Sequence, residues 1–229
     1  LKQIKDEKTN IITVEDPVEY QLDGITQVQI FEDIGLTFGS SLRSILRQDP
    51  DVLLIGEIRD EETADIAVKF SLTGHLVFST VHANDAPGTL TRLLDIGIAP
   101  FLVGSCLNLV MAQRLVRKLC EKCKESYQPT SDELALIGLT PSDVKGELNK
   151  EKGCANCRNT GYRGRTAIFE MIPMAKELRK LVYESANEDQ IRQAAINNGM
   201  VTLRDAGNER VLDGTTSIDE ILRSTVEDL

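Results

Sequence analysis

QDPDVLLIGEIRD, residues 48–60, is the stretch that decides the fold. Residues 52–55 form a short, wholly apolar run with Asp49-Pro50-Asp51 before it and Gly56 after it. That is the pattern of a strand buried on both faces, at home in the centre of a parallel sheet. Glu57, Arg59 and Asp60 fall just past its carboxyl end, where open α/β sheets place their ligands. An acid at that station commonly serves the magnesium of a nucleotide.

Upstream, residues 11–14 form a β-branched strand that stops at Glu15-Asp16-Pro17, so Glu15, Asp16 and Glu19 follow a second strand end. Taken alone they read as a solvated acidic turn; beside Glu57 they read as a second carboxylate station on one sheet. Residues 24–30, GITQVQI, alternate like a half-exposed strand and are expected to pair as a hairpin with an earlier segment. Residues 37–47 place Phe38, Leu42, Ile45 and Leu46 at helical spacing, with Arg43 and Arg47 together on another side. Downstream, residues 61–72 predict a helix closed by Thr73-Gly74, and residues 76–81 a third strand ending at His82-Ala83-Asn84-Asp85. Alternating strands and helices predict a doubly wound sheet. The two histidines flank that last strand. His82 lies beside the acidic strand ends, whereas His75 suits a structural role equally well.

Composition narrows the function classes. The 229 residues carry 26 basic against 36 acidic side chains, a formal charge of -10, with 41% hydrophobic content. A soluble globular chain follows, with no long basic run for nucleic acid or an anionic membrane. The longest apolar stretch, residues 96–112, is broken by Pro100 and two glycines and reads as a loop and buried helix running to about Leu119, not a membrane span. No signal peptide is visible, so the chain is expected in the cytoplasm. Residues 1–7 read as the tail of a helix without an initiator Met, so the sequence reads as a fragment.

A second signal lies in the cysteines. Cys120 with Cys123 and Cys154 with Cys157 make two C-x2-C knuckles, the donor set of a structural tetrahedral zinc in a reducing compartment, against four simple reduced thiols. Cys106 belongs to an apolar helix. Residues 131–139 and 140–148 look like two short helices between the knuckles, and Arg163 and Arg165 follow the second. Beyond Pro173 the pattern is helical, with capping boxes at Asn187 with Gln190 and at Ser217 with Glu220.

Residues 12–20 (ITVEDPVEY), 47–67 (RQDPDVLLIGEIRDEETADIA), 73–86 (TGHLVFSTVHANDA) and 112–120 (AQRLVRKLC) resemble the Asp box, Walker B box, His box and a following motif of the secretion ATPases. Those proteins drive type II secretion and type IV pilus assembly. The motifs run in order over nearly the whole chain. The resemblance implies an α/β, RecA-like ATPase core with a mainly parallel sheet, incomplete at its amino terminus, over residues 1–118. A tetracysteine subdomain over 119–168 and a helical subdomain over 169–229 follow. It implies ATP, magnesium and structural zinc, a homo-hexamer, and an inner-membrane platform with recruiting proteins as partners, the motor lying peripheral to the membrane. Carried over by residue, Glu15 is the general base, Glu57 the acid near magnesium, and His82, with His75, the phosphate sensor. Asp16, Glu19 and Arg59 join the nucleotide side; Arg59 serves phosphate contact or pairing with Asp60 or Glu62. The tetracysteine insertion implies the secretion or pilus-extension branch.

One departure is large. The Gly-x4-Gly-Lys-Ser/Thr loop is absent, and Gly-Lys occurs nowhere in these residues. Without that nest of amides and its lysine the terminal phosphates lose their main cradle, so the chain alone is expected to be inactive. The competing reading is an interaction module that binds and regulates an intact ATPase or its platform.

Overall fold

The computed structural model describes residues 1–225. Residues 226–229, the end of the 169–229 segment, lie outside the described residues. Contacts divide the chain into two units, Leu1–Val110 with Pro173–Ala195, and Met111–Ile172 with the described residues from Ile196 on. This departs from three consecutive segments at 118 and 168. The reason is local: Pro173–Ala195 packs onto the first unit, whereas the last two helices stay with the cysteine region.

In the first unit, β1 (Ile11–Glu15), β2 (Thr26–Gln29), α1 (Phe38–Ile45), β3 (Val52–Ile55), α2 (Glu61–Leu72), β4 (Leu76–Ser79), α3 (Ala86–Asp95) and α4 (Pro100–Cys106) follow one another. The sheet order is β2-β1-β3-β4, all parallel, so β1 and β3 are internal as their apolar runs require. Ile11, Ile12, Val14, Val52, Leu53 and Ile55 are buried. β4 closes one edge, and its Leu76 and Phe78 remain 43% and 41% exposed. β2 joins β1 in parallel register, Ile12 opposite Thr26, and not as a hairpin. The residues between them form a return loop held where Leu22 N donates to Gln27 Oε1 (2.7 Å).

Caps set the helix starts. Thr37 and Ser40 make a reciprocal capping box on α1. Asp60 accepts Thr63 N at 2.8 Å to open α2, and Asp85 accepts Gly88 N at 2.8 Å to open α3. In place of the expected helix tail, residues 1–7 form a turn in which Ile4 N and Lys5 N donate to Leu1 O; Lys5 Nζ donates to Asp23 O, and Asp6 Oδ1 accepts Lys8 N.

The helix expected through Leu119 ends at Cys106, because Leu107 turns extended; β5 (Leu109–Leu119) replaces the rest. Its buried Val110 and Ala112 between exposed Leu109 and Met111 have the period of two that marks a strand. β5 pairs with β8 (Tyr162–Pro173), while β6 (Glu125–Tyr127) and β7 (Leu148–Lys150) form a small antiparallel pair around α5 (Ser131–Ala135). The second helix expected over residues 140–148 is a turn, where Thr140 N donates to Asp143 Oδ2 at 2.7 Å, followed by β7.

α6 (Lys176–Tyr183) packs against α4, and α7 (Glu188–Asn197) follows it. α8 (Leu203–Leu212) and α9 (Ile218–Ser224) pack on each other in the second unit. The helical tail therefore divides between the units and does not form a subdomain of its own. The Asn187–Gln190 box forms in full. At α9 only half forms: Ser217 Oγ accepts Glu220 N, while the Glu220 carboxylate turns instead to Arg117 and Arg223.

Candidate nucleotide-side site and cysteine centre

The parallel register aligns Val14 with Ile55 and Ile55 with Ser79, so β1, β3 and β4 end along one rim. Glu15 closes β1, Glu57 lies two residues past β3, and His82 three past β4. Gly56 permits the convergence. Its amide donates to Val14 O at 2.7 Å, and a Cβ there would stand 3.2 Å from that oxygen and 3.3 Å from Glu15 Cα. On the other side, Thr80 Oγ1 donates to Gly56 O at 2.5 Å and Ile58 N to Thr80 O at 2.9 Å.

Glu57 is the electrostatic centre of this rim. Arg59 Nη2 lies 2.5 Å from its Oε1 and His82 Nε2 lies 3.0 Å from its Oε2, with the Glu57 side chain only 12% exposed. The Arg59 hydrogen bond, against a burial cost, holds the Glu57 carboxyl below the usual carboxylate range. The same bond raises the Arg59 pKa, with help from the charges of Asp16 and Glu32. Glu15 is held separately: its Oε1 accepts Thr13 Oγ1 at 2.5 Å and Gln27 Nε2 at 2.9 Å. Two carboxylates thus stand on adjacent strand ends, one paired with Arg59 and the His82 ring and the other fixed by neutral donors.

Not every expected residue joins them. Asp16 lies near enough to act on Arg59, while Glu19 is exposed on the loop beyond. His75 is at the opposite, amino end of β4. Its ring stacks on Phe70 at 4.1 Å and its Nδ1 meets Thr73 Oγ1 at 2.9 Å, so the structure gives it packing contacts away from Glu57. Arg59 pairs with Glu57, not with Asp60, which caps α2, nor with Glu62, which pairs with Arg43. Thr13, Gln27 and Thr80 escaped the sequence reading. The alternation of residues 24–30 placed Gln27 on a strand, but only the parallel register brings it to Glu15.

In the second unit the sulfur atoms of Cys120, Cys123, Cys154 and Cys157 lie within 4.8 Å of one another. Individual Sγ separations are 4.0 Å for 120 with 154, 3.7 Å for 123 with 157 and 3.8 Å for 154 with 157. A tetrahedron with metal–sulfur bonds of about 2.3 Å has sulfur edges of about 3.8 Å, so the spacing fits a zinc ion. Cys154 N and Gly161 N both point at Cys157 Sγ, at 3.2 Å each. Burial works to raise the Cys157 pKa, and backbone hydrogen bonds from Cys154 and Gly161 outweigh it, bringing it down to about 6. Asn156 Nδ2 donates to Cys120 Sγ at 3.3 Å and lowers that thiol as well. Burial pushes Cys123 up to about 12 and raises Cys106, which stands apart at the end of α4. Among the described residues, no helix is long and apolar enough to cross a membrane.

Comparison with known proteins identifies the family of the chain. The chain is 52% identical over 223 residues to the type IV pilus assembly ATPase PilB of Myxococcus xanthus, covering 96% of this chain and 39% of the relative. It is 48% identical over 228 residues to the type II secretion system protein E of Pseudomonas aeruginosa, covering 100% of this chain and 45% of the relative. It thus spans about two fifths of the length of these curated relatives. The solved pilus retraction motor PilT with bound ADP superimposes with a TM-score of 0.68 at 25% identity, over 96% of this chain and 53% of that one. The family model described as type II/IV secretion system protein matches residues 1–223, and the chain belongs to that family.

Proposed function

We propose that this chain is the part of an ATP-hydrolysing motor subunit, powering type II secretion or type IV pilus assembly, that supplies the water-side and metal-side acids. The observation that carries this is the shared rim on which three neighbouring parallel strands present Glu15, Glu57 and His82. Magnesium and ATP, when bound, bring the charge and the transferring phosphoryl group. Phosphoryl transfer asks the protein for positioning and charge compensation more than covalent help. Glu57, held ionised, suits a hydrated magnesium ion. Glu15, kept as an acceptor by Thr13 and Gln27, suits the attacking water. Arg59 and the His82 ring stand nearest the developing charge. The four cysteines hold a structural zinc, with no open position for catalysis, and favour the secretion or extension branch. A hexamer on the cytoplasmic side of the inner membrane, docked on a platform and recruiting proteins, completes the proposal.

The test replaces the matching segment of the Myxococcus xanthus relative with this chain and follows ATP turnover. The chimera is expected to turn over, and Glu57→Gln or Glu15→Gln to lower kcat by about 100-fold or more. The chain by itself is expected to show no turnover, lacking the phosphate cradle. A folded, nucleotide-binding chimera whose kcat ignores Glu57→Gln would overturn the assignment.

A further inference from the structure

The loop that carries His82 is fastened at both ends. At its start, Thr80 is tied to Gly56 and Ile58. At its end stands Asp85, whose two carboxylate oxygens do different jobs. Oδ1 accepts Gly88 N at 2.8 Å and caps α3; Oδ2 accepts Arg192 Nη2 at 2.7 Å. Arg192 lies 107 positions further along the chain, on α7, and the same nitrogen also donates to Glu188 Oε1 at 2.6 Å. Ile191 and Ala195, 0% and 1% exposed, seat that helix, so the guanidinium projects from a fixed base. The approach is close: a Cβ on Gly88 would stand 3.0 Å from Asp85 Oδ1 and 3.4 Å from Glu188 Oε2. Burial disfavours the Arg192 charge, but Asp85 and Glu188 more than compensate and raise its pKa.

Capping α3 requires only one oxygen of Asp85. The second is committed to a cation from a distant segment, three residues from His82. We infer that Arg192 is a positioning residue, which holds the His82 imidazole against Glu57 by clamping Asp85. The inference rests on His82 and Glu57 forming the nucleotide-side site. It also gives Pro173–Ala195 a task in the first unit, to which its contacts assign it.

The experiment records His82 and His75 ring signals by NMR, with amide exchange over residues 81–84, in the chain itself. Arg192→Met removes the clamp. Asp85→Asn keeps an oxygen for Gly88 and loses the carboxylate oxygen that Arg192 uses. Each is expected to shift or broaden His82, leave His75 unmoved and speed exchange at 81–84 by about fivefold, the factor suited to a partly buried ion pair. The double variant is expected to be no worse than either single one, since both break one interaction. Arg192→Lys, which keeps the charge, is expected to restore the His82 signal in part. An unmoved His82 in a folded Arg192→Met chain overturns the inference, as does loosening spread evenly over both histidines and all of α3. Glu57→Gln separates the two levels. If it shifts His82 while Arg192→Met does not, the clamp fails and the site stands; if it leaves His82 unmoved, the site itself fails.

Discussion

The two units bury comparable apolar side chains yet treat charge in opposite ways. In the first, Leu42, Leu53, Ile55 and Leu90 are sealed inside and no charged side chain is fully buried among the described residues; Arg43 with Glu62, at 57% and 55% side-chain exposure, is a surface pair. In the second, Leu119, Leu134, Ile137 and Ile172 are sealed too, but two carboxylates, Glu170 and Glu220, lie among them, beside four cysteines of which two are buried and two half-buried. The Glu220 side chain is 0% exposed; it takes Arg117 Nε at 2.8 Å, Nη2 at 2.6 Å and Arg223 Nη2 at 2.7 Å. Arg117 also lies 4.1 Å over the Tyr162 ring, whose hydroxyl meets Ser217 Oγ at 2.6 Å. An exposed pair such as Arg43 with Glu62 is screened by water and contributes little, whereas a buried charge is expensive to strand. Metal and ionic chemistry should therefore govern the second unit and leave the first unmoved.

Chelation is the strongest way to break this contrast. Structural zinc contributes about 10 kcal/mol or more to the folding of zinc-finger peptides. Removing it is expected to abolish amide protection around the two knuckles and β5, release four thiols to titration, and spare β1 and β3. Zinc-free protein with all five thiols freely reactive and the same protection would end the comparison. Next comes Glu220→Gln, expected to cost the second unit about 3 kcal/mol, the order of magnitude for removing one partner of a buried ion pair. Burial raises the Glu220 pKa, but Arg223 and Arg117 bring it down to about 2 from 4.5. Because the folded value is depressed, its stabilisation is complete above about pH 4.5 and is lost as pH falls toward 2. Denaturant unfolding of parent and variant across that range checks both size and sign. The smallest effect belongs to Arg43→Met, expected to change first-unit stability by no more than about 0.5 kcal/mol in the same measurement. A larger loss would show that exposed pairs carry weight here.

Much of this arrangement was legible in the sequence where local pattern and tertiary outcome coincide. Residues 52–55 announced an internal strand, and the acids after β1 and β3 marked the rim, because a parallel sheet gathers its carboxyl ends. Spacing alone marked the two cysteine knuckles. The misread segments have a common cause. β5 carries an apolar run whose alternation is visible only once the helix is known to stop at Leu107, and the direction of β2 depends on the path of its loop. Arg192 could not be placed, since Asp85 lies 107 positions away in the chain, and Gln27 was placed on a strand but not beside Glu15. His75 looked like a companion of His82 because both flank one strand, yet a strand has two ends.

β4 has a consequence for the chain in a test tube. Among the described residues β4 is an edge strand with half-exposed Leu76 and Phe78, and such an edge is a template on which another extended segment can pair. The net charge of -10 opposes such encounters. That repulsion reaches only about 10 Å at 0.1 M salt and shrinks as salt rises, while the edge itself is indifferent to ions. Colloidal behaviour is thus a contest between a long-range repulsion and a short-range adhesive strip, and concentrated salt tips it toward the strip.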